Sequence, residues 1–400
     1  MDQAHLILLV GGALTLLAVL AGILAQRHGT PVLLVFLVLG MLAGEDGPGG
    51  INFDDVETTY LLGAIALAII LFEGGLKTSP RMLRLAIAPA LALATVGVAV
   101  TAAIVGAAAV WLTGISWPAG LLLGALVAPT DAAAVAGLLR ASTVRLPERV
   151  NAVLEVESGL NDPMAVFLTV VLVEAVHLPA AFAIAPAALL FAWEMAGGVL
   201  LGLAGGAALV WLARRLRADH TTLPVLALAI AITIFAGAQA LHASGFLAVY
   251  IAGVIAGARI VHAQALETAF EAFAWLAQIG LFLMLGLLVT PHELLPLAGT
   301  GTVLALVLIL VARPLATLLC LKPLGYGWGE TGFIAWVGLR GAVPIFLALV
   351  PMLEGLKLAR LGFAVAFVIV LVSLIVQGWT IGPAARITRL IPARAKGAPP

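Results

Sequence analysis

Cysteine and charge are scarce in this chain. It has a single cysteine, Cys320, which excludes a disulfide framework and a multi-cysteine metal cluster. Charged residues make up only 10% of the 400 residues, against about 25% in soluble domains, so the chain lacks the surface chemistry that water requires. The net charge is zero and no cluster of basic residues is present, so we expect no nucleic-acid partner.

Hydrophobic and small residues are abundant instead. Hydrophobic residues reach 63% and glycine contributes 43 residues, a composition typical of membrane helices that pack backbone to backbone. The chain is therefore predicted to be an all-α polytopic membrane protein in a lipid bilayer. A crossing needs about 20 apolar residues, and on that basis the sequence predicts thirteen transmembrane spans. They are 5–25, 31–44, 59–76, 84–112, 118–140, 150–176, 183–212, 222–242, 244–260, 272–289, 299–321, 330–352 and 361–383.

The positions of lysine and arginine predict the orientation. With the N-terminus outside, most of the 20 basic residues fall in cytoplasmic segments, as the positive-inside rule requires. The cytoplasmic set is Arg27, Lys77, Arg81, Arg84, Arg140, Arg145, Arg149, Arg214, Arg215, Arg217, Arg259, Lys322, Arg386, Arg389, Arg394 and Lys396. The N-terminus is therefore predicted outside and the C-terminus in the cytoplasm.

The chain resembles itself at an offset of about 210–215 residues. Gly40–Gly44 matches Gly253–Gly257, and proline-containing breaks interrupt the fifth span at Ala128–Asp131 and the twelfth at Gly338–Pro344. Matching elements lie seven spans apart, so the two copies have opposite orientations. The sequence therefore predicts an inverted repeat with two discontinuous helices, and such helices commonly mark the site of a transporter.

The most unusual run of polar residues lies in the sixth span. Glu157 and Asn161 are four residues apart, as are Ser158 and Asp162, so each pair shares one helix face. An ionisable side chain within a membrane costs at least about 2.5–3.5 kcal/mol, which favours a functional role over mere packing between helices. A buried acid that holds either a proton or a metal cation suits a proton-coupled cation carrier.

The fifth-span break places Thr130 and Asp131 where they can cap the following half-helix and also present oxygens to the site. Arg340, in the twelfth-span break, needs a partner because an unpaired charge there is prohibitive. We expect Glu157 to be that partner, with Asn161 bridging the two, which leaves Asp162 as the free carboxylate.

Two further charged residues, Glu73 and Arg313, both fall toward the predicted cytoplasmic half of the membrane. We expect them to pair with each other in a structural role.

Three motifs together resemble the signature helices of the NhaP-type monovalent cation:proton antiporters. They are Ala128–Asp131, Glu157–Asp162 and Gly338–Pro344. Asn161–Leu168 and Trp275–Ile279 look most like the potassium/proton branch of that family.

The resemblance implies an NhaA-like antiporter fold and a homodimer. The dimerisation part would be 1–80 and 222–290, the mobile core 84–176 and 299–383, the linker helix 183–212 and the cytoplasmic tail 384–400. Potassium-branch members usually continue into a cytosolic regulatory domain; this chain stops soon after its last span, so regulation by such a domain is expected to be absent or removed.

The family pattern also implies the roles of individual residues. Asp162 would bind the cation and the proton, and Thr130, Asp131, Glu157 and Ser158 would complete the cation shell. Asn161 and Arg340 would hold Glu157 in place.

The predicted function is exchange of one monovalent cation, potassium rather than sodium, for one proton across the inner cell membrane, with a role in pH homeostasis. Such exchange would be electroneutral and needs no cofactor. The alternatives are an anion or organic-acid symporter, an intramembrane enzyme and a passive channel. Three acids argue against an anion, and no membrane-embedded His or Lys is evident to activate Ser158 as a nucleophile. Paired broken helices favour alternating access over a channel.

Overall fold

The computed structural model describes residues 3–142, 146–178, 183–260, 263–388 and 390. Arg145, Arg389 and positions 391–400 of the predicted tail lie outside these ranges, so the predictions made for them are not tested. The described residues form helices and connecting loops, with one isolated bridge between Gly44 and Ile51.

Ten helices make up the chain as far as the middle of the sequence. They are α1 (Gln3–His28), α2 (Val32–Ala43), α3 (Val56–Lys77), α4 (Pro80–Ala92), α5 (Val98–Thr113), α6 (Trp117–Leu126), α7 (Ala132–Ser142), α8 (Glu148–His177), α9 (Ile184–Arg215) and α10 (Thr222–Ala240). A π-helical turn, Leu93–Gly97, joins α4 to α5 without a break.

The remaining helices repeat this pattern of long, short and interrupted elements. They are α11 (Gly245–Arg259), α12 (Ala263–Leu287), α13 (Pro291–Val307), α14 (Arg313–Leu321), α15 (Trp328–Trp336), α16 (Ala342–Leu347), α17 (Leu349–Leu353) and α18 (Ala359–Ile387). A second π-helical turn, Leu308–Ala312, joins α13 to α14.

The helices coincide with the predicted spans, except at two N-terminal boundaries. The spans predicted at 272–289 and 299–321 begin earlier, at Ala263 and Pro291. These boundaries were wrong because the added turns carry Glu267, Glu271 and Glu293, which lower local hydropathy without ending the helix. Within the described ranges, nine helices are long and apolar enough to cross a membrane and four apolar helices are shorter, so the count of thirteen crossings stays a prediction.

Glycine sets the closest helix crossings. A Cβ on Gly40 of α2 would lie 2.9 Å from the Gly286 Cα of α12, and a Cβ on Gly75 of α3 would lie 3.1 Å from the Gly253 Cα of α11. The helices therefore meet backbone to backbone, and even alanine is too large at these points. The two crossings form the pairs α2–α12 and α3–α11. Phe72 of α3 packs against Phe270 of α12 with ring centroids 4.7 Å apart, which joins the two pairs into one group.

The two breaks predicted from proline are present and touch each other. The first separates α6 from α7 and the second separates α15 from α16. The Asp131 N–H donates to the Leu339 carbonyl at 2.9 Å, which joins one break to the other by a main-chain hydrogen bond. The two π-helical turns lie 215 positions apart, close to the offset of the sequence repeat.

Candidate functional site

Arg340 lies where the two interrupted helices cross. Its Nη1 donates to the carbonyls of Ala128 at 2.5 Å and Pro129 at 2.8 Å, and its main-chain N–H donates to Ser373 Oγ at 3.0 Å. The predicted ion pair between Arg340 and Glu157 was wrong. The carbonyls of Ala128 and Pro129 lie in the break just beyond the end of α6, outside any helical hydrogen-bond pattern. They therefore serve Nη1 of the buried guanidinium in place of a carboxylate.

Glu157 pairs with Arg313 instead. Arg313 Nη1 and Nη2 donate to Glu157 Oε1 at 2.6 Å and Oε2 at 2.9 Å, and both side chains are almost fully buried. The predicted pair between Arg313 and Glu73 was therefore also wrong, because Glu73 forms its ion pair with Lys77, one turn further along α3. No sequence signal assigns Arg313 to Glu157, because the two residues lie on α14 and α8, more than a hundred residues apart in the chain.

Side chains of α8 hold the break between α6 and α7 open. Asn161 Nδ2 donates to Thr130 Oγ1 at 2.7 Å, and Ser158 Oγ donates to the Thr130 carbonyl at 3.0 Å. Ser158 Oγ also accepts the Ala132 N–H at 3.2 Å. Asn161 thus bonds to the break rather than bridging Glu157 and Arg340, and that part of the prediction was wrong.

Asp131 has the capping role that the sequence predicted. Its Oδ1 accepts the Ala134 N–H at 2.9 Å, which satisfies one of the free amides at the start of α7. Gly341 packs directly against this carboxylate, and a Cβ there would lie 2.8 Å from Asp131 Cβ. The second break therefore approaches Asp131 closely because it carries a glycine at that point.

Asp162 is buried, with 8% of its surface exposed. Its Oδ1 has no hydrogen-bond partner among the residues that the structure describes, although buried polar atoms are nearly always satisfied. A carboxylate oxygen left in this way is available to a cation, a proton or a water molecule.

A cavity leads to Asp162 from one end of the bundle. It has a volume of about 230 Å³, and Thr130, Asp131 and Ser158 line it together with Asp162. Four of the five predicted cation ligands therefore lie around one space. Glu157, the fifth, is absent from the lining and directs both carboxylate oxygens to Arg313.

The arrangement provides hydroxyl, carbonyl and carboxylate oxygens around one free carboxylate at the end of a cavity. Hard oxygen donors suit an alkali cation, and the same carboxylate oxygen accepts a proton. Arg313 and Arg340 hold fixed positive charge nearby, each with its own partners. The site can therefore bind one small cation or one proton at Asp162.

The sequence matches the model of the sodium/hydrogen exchanger transmembrane family over residues 15–387. The chain belongs to the sodium/hydrogen exchanger family. This membership makes it a multi-pass membrane transporter rather than an enzyme.

Two curated relatives match over nearly the whole chain. The K(+)/H(+) antiporter NhaP of Alkalimonas amylolytica is 46% identical over 98% of this chain and 68% of its own length. The K(+)/H(+) antiporter NhaP2 of Shewanella oneidensis is 46% identical over 97% of this chain and 68% of its own length.

A solved structure has the same fold. The sodium proton antiporter MjNhaP1 of Methanocaldococcus jannaschii superimposes with a TM-score of 0.83, covering 95% of this chain and 98% of its own, at 24% sequence identity. This exchanger therefore shares the fold of that antiporter.

Proposed function

We propose that this exchanger moves one monovalent cation against one proton, with potassium favoured and sodium possible, and that Asp162 binds both in turn. The observation that carries the proposal is the free Oδ1 of Asp162 at the end of an open cavity. Potassium is favoured because the relatives at 46% identity are named as potassium/proton antiporters. Exchange through one carboxylate is electroneutral, since a singly charged cation replaces a proton.

The residues around Asp162 divide into two groups. Thr130, Asp131 and Ser158 line the cavity and complete the oxygen shell of the cation. Asn161 and Arg340 hold the break between α6 and α7 in shape through Thr130 and the carbonyls before it. Glu157, predicted as a further ligand, belongs with this supporting group because Arg313 occupies both of its oxygens.

The proposed architecture has thirteen crossings arranged as an inverted repeat with two crossed discontinuous helices, as in the NhaA-like fold. Nine long and four shorter apolar helices among the described residues support this count. The paired breaks and the paired π-helical turns support the repeat.

The proposed domain organisation follows the packing of the helices. Residues 1–80 and 222–290 would form the dimerisation part of a homodimer, and 84–176 and 299–383 the mobile core, with 183–212 as linker. The glycine crossings within α2, α3, α11 and α12 support a stiff dimerisation part. No cofactor is assigned.

We place the N-terminus outside and the C-terminus in the cytoplasm of a cell whose inner membrane holds the protein. Contacts between basic residues and neighbouring loops support one common cytoplasmic end. Arg214 donates to the Arg259 carbonyl at 3.0 Å, and Arg149 donates to the Leu324 carbonyl at 3.2 Å. Lys77, at the same end, lines the cavity, so the cavity would open to the cytoplasm.

Alternating access also needs a barrier on the outer side. Phe346 of α16 stacks on Tyr60 of α3 with ring centroids 5.0 Å apart and an interplanar angle of 9°, and it meets Phe246 of α11 edge-on at 6.4 Å. Tyr60 and Phe246 lie near the ends of their helices opposite to Lys77 and Arg259. These rings would close the outer path while the cavity is open.

The test uses purified protein in liposomes that enclose a pH-sensitive dye. Potassium or sodium is added outside, and Asp162→Asn is compared with wild type and with Glu174→Gln, which neutralises an exposed acid on the same helix α8. Cation-driven proton movement in wild type and Glu174→Gln, and its loss in Asp162→Asn, is the expected result. The larger response identifies the preferred cation. Wild type that moves no protons with either cation would refute the proposal.

A further inference from the structure

Lys77 has an unusual position for a basic residue in a cation carrier. Among the residues that the structure describes, it is the only lysine or arginine that lines the cavity leading to Asp162. It is the last residue of α3, and its side chain is 35% exposed. A cation that enters through this cavity must pass a fixed positive charge.

The Lys77 ammonium is held between carboxylates from two helices. It forms an ion pair with Glu73, one turn earlier on α3, and its Nζ lies 3.5 Å from Glu271 Oε1 on α12. Both acids line the same cavity, with Glu73 largely buried and Glu271 at the exposed mouth. Lys77 therefore neutralises part of the negative charge that would draw cations inward.

A third carboxylate lines the same cavity from α8. Glu155 of α8 lines the cavity two residues before Glu157, and its Oε1 accepts a hydrogen bond from Asn151 Nδ2 at 3.0 Å. The approach to Asp162 thus carries three acids and one lysine, supplied by α3, α8 and α12.

An ammonium group and an alkali cation present the same chemistry to a carboxylate. Both are compact single positive charges that bind oxygen, and the ammonium of lysine remains attached on a flexible stem. We propose that Lys77 sets the apparent cation affinity of the exchanger by competing with the transported cation for the carboxylates at the cavity mouth. This inference rests on the proposed exchange function and concerns cation entry, a step separate from binding at Asp162.

The effect should appear in KM and leave the maximal rate nearly unchanged. A negative potential in a cavity raises the local cation concentration, and removing the ammonium makes the potential more negative. Lys77→Gln should lower the KM for potassium about threefold or more, the effect of one unit charge across a partly hydrated cavity. Glu271→Gln should raise KM, because it removes a negative charge from the mouth.

The experiment measures KM and maximal rate in everted membrane vesicles, which expose the cavity side under the proposed orientation. Total ionic strength is kept constant with choline while potassium is varied. Lys77→Arg keeps the charge, and Arg81→Gln is the matched control. Arg81 lies at the same end of the bundle, pairs with Glu148 at 2.8 Å and is absent from the cavity lining.

The inference is supported if Lys77→Gln lowers the KM for potassium while Lys77→Arg and Arg81→Gln both keep the wild-type KM. The difference should also fade as salt rises, because the Debye length falls from about 10 Å at 0.1 M to about 3 Å at 1 M. A purely structural cross-link between α3 and α12 would show no such salt dependence.

Three results would overturn the inference: an unchanged KM in Lys77→Gln, an equal fall in Arg81→Gln, or a Lys77→Arg variant that behaves like Lys77→Gln. If Lys77→Gln does not fold, Glu271→Gln decides alone, with an unchanged or lower KM counting against the inference. Wild-type vesicles without cation-driven proton movement would instead refute the exchange function itself.

Discussion

The guanidinium of Arg313 holds both carboxylate oxygens of Glu157, at 2.6 and 2.9 Å, in the interior of the core. Neither member of this pair lines the cavity that reaches Asp162. Both oxygens of Glu157 are taken by Arg313, whereas Oδ1 of Asp162 has no hydrogen-bond partner among the described residues.

Breaking this pair from one side should destabilise the protein strongly. Glu157→Gln leaves Arg313 as an uncompensated buried charge, for which the cost is about 3–5 kcal/mol. The double variant Glu157→Gln, Arg313→Gln removes both charges and should recover part of that loss. Thermal unfolding in detergent compares wild type, Glu157→Gln, Arg313→Gln and the double variant. Additive losses in the double variant would show that the two residues act independently.

Gly341→Ala should abolish transport by displacing the Asp131 carboxylate. The added Cβ would lie 2.8 Å from Asp131 Cβ, a distance that requires the two breaks to move apart. Gly137→Ala on α7 is the control because a Cβ there meets no atom within 4 Å. Alanine should even stabilise that helix by about 0.5–1 kcal/mol. Potassium-driven proton flux measures the effect on transport, and thermal unfolding measures the effect on stability. Equal flux in the two variants would contradict the close contact between Gly341 and Asp131.

Thr130 and Asn161 should behave as a coupled pair. Thr130→Val removes the hydroxyl that accepts the Asn161 Nδ2 hydrogen bond, and Asn161→Ala removes the donor. Each single change leaves one buried polar group unsatisfied at a cost of about 1–3 kcal/mol, whereas the double change removes both groups. A double-mutant cycle on the free energy of unfolding should give a coupling energy above about 0.5 kcal/mol. A coupling near zero would mean that the hydrogen bond is not formed.

The loop after α2 should contribute a pH-dependent stability. The main-chain N–H of His292 donates to Asp46 at 2.8 Å and is the largest cause that lowers the pKa of Asp46 below its ordinary 3.8; the imidazole lowers it less. A carboxyl group whose pKa is lower in the folded than in the unfolded protein contributes stability at pH values above its unfolded-state pKa. This contribution is lost as the pH falls through the folded-state pKa. Asp46→Asn should therefore lower the unfolding temperature at pH 7, and this difference should shrink progressively below pH 3.8.

His292→Ala is the matched comparison for Asp46→Asn, because it keeps the main-chain donor. It should lose less thermal stability than Asp46→Asn at pH 7. An equal loss in the two variants would assign the effect to the imidazole instead.

The helices and their breaks could be predicted from the sequence because each has a local cause. Apolar runs define the spans, Pro129 and Pro344 mark the interruptions, and Asp131 has the side chain and position of a cap. The gathering of Thr130, Ser158 and Asp162 around one cavity agrees with the spacing along α8 and the adjacent break.

The partners of the two buried arginines could not be predicted from the sequence, for a physical reason. Arg340 and Arg313 are both buried cations, and the sequence alone does not decide which of them takes Glu157. The outcome depends on carbonyls that an interrupted helix leaves without amides. Nη1 of Arg340 donates to two such carbonyls, and Arg313 takes Glu157. Main-chain acceptors of this kind have no signature in residue type.

The meeting of Gly40 with Gly286 and of Gly75 with Gly253 has a mechanical consequence. A displacement of α2 or α12 by one residue would replace a glycine at the point of contact with a side chain for which there is no room. That pair of helices therefore has a single permitted register, whereas on α3 the neighbouring Gly74 could also take the place of Gly75. Sliding between α2 and α12 is prevented sterically, and large movements of the protein are expected along surfaces where side chains separate the helices.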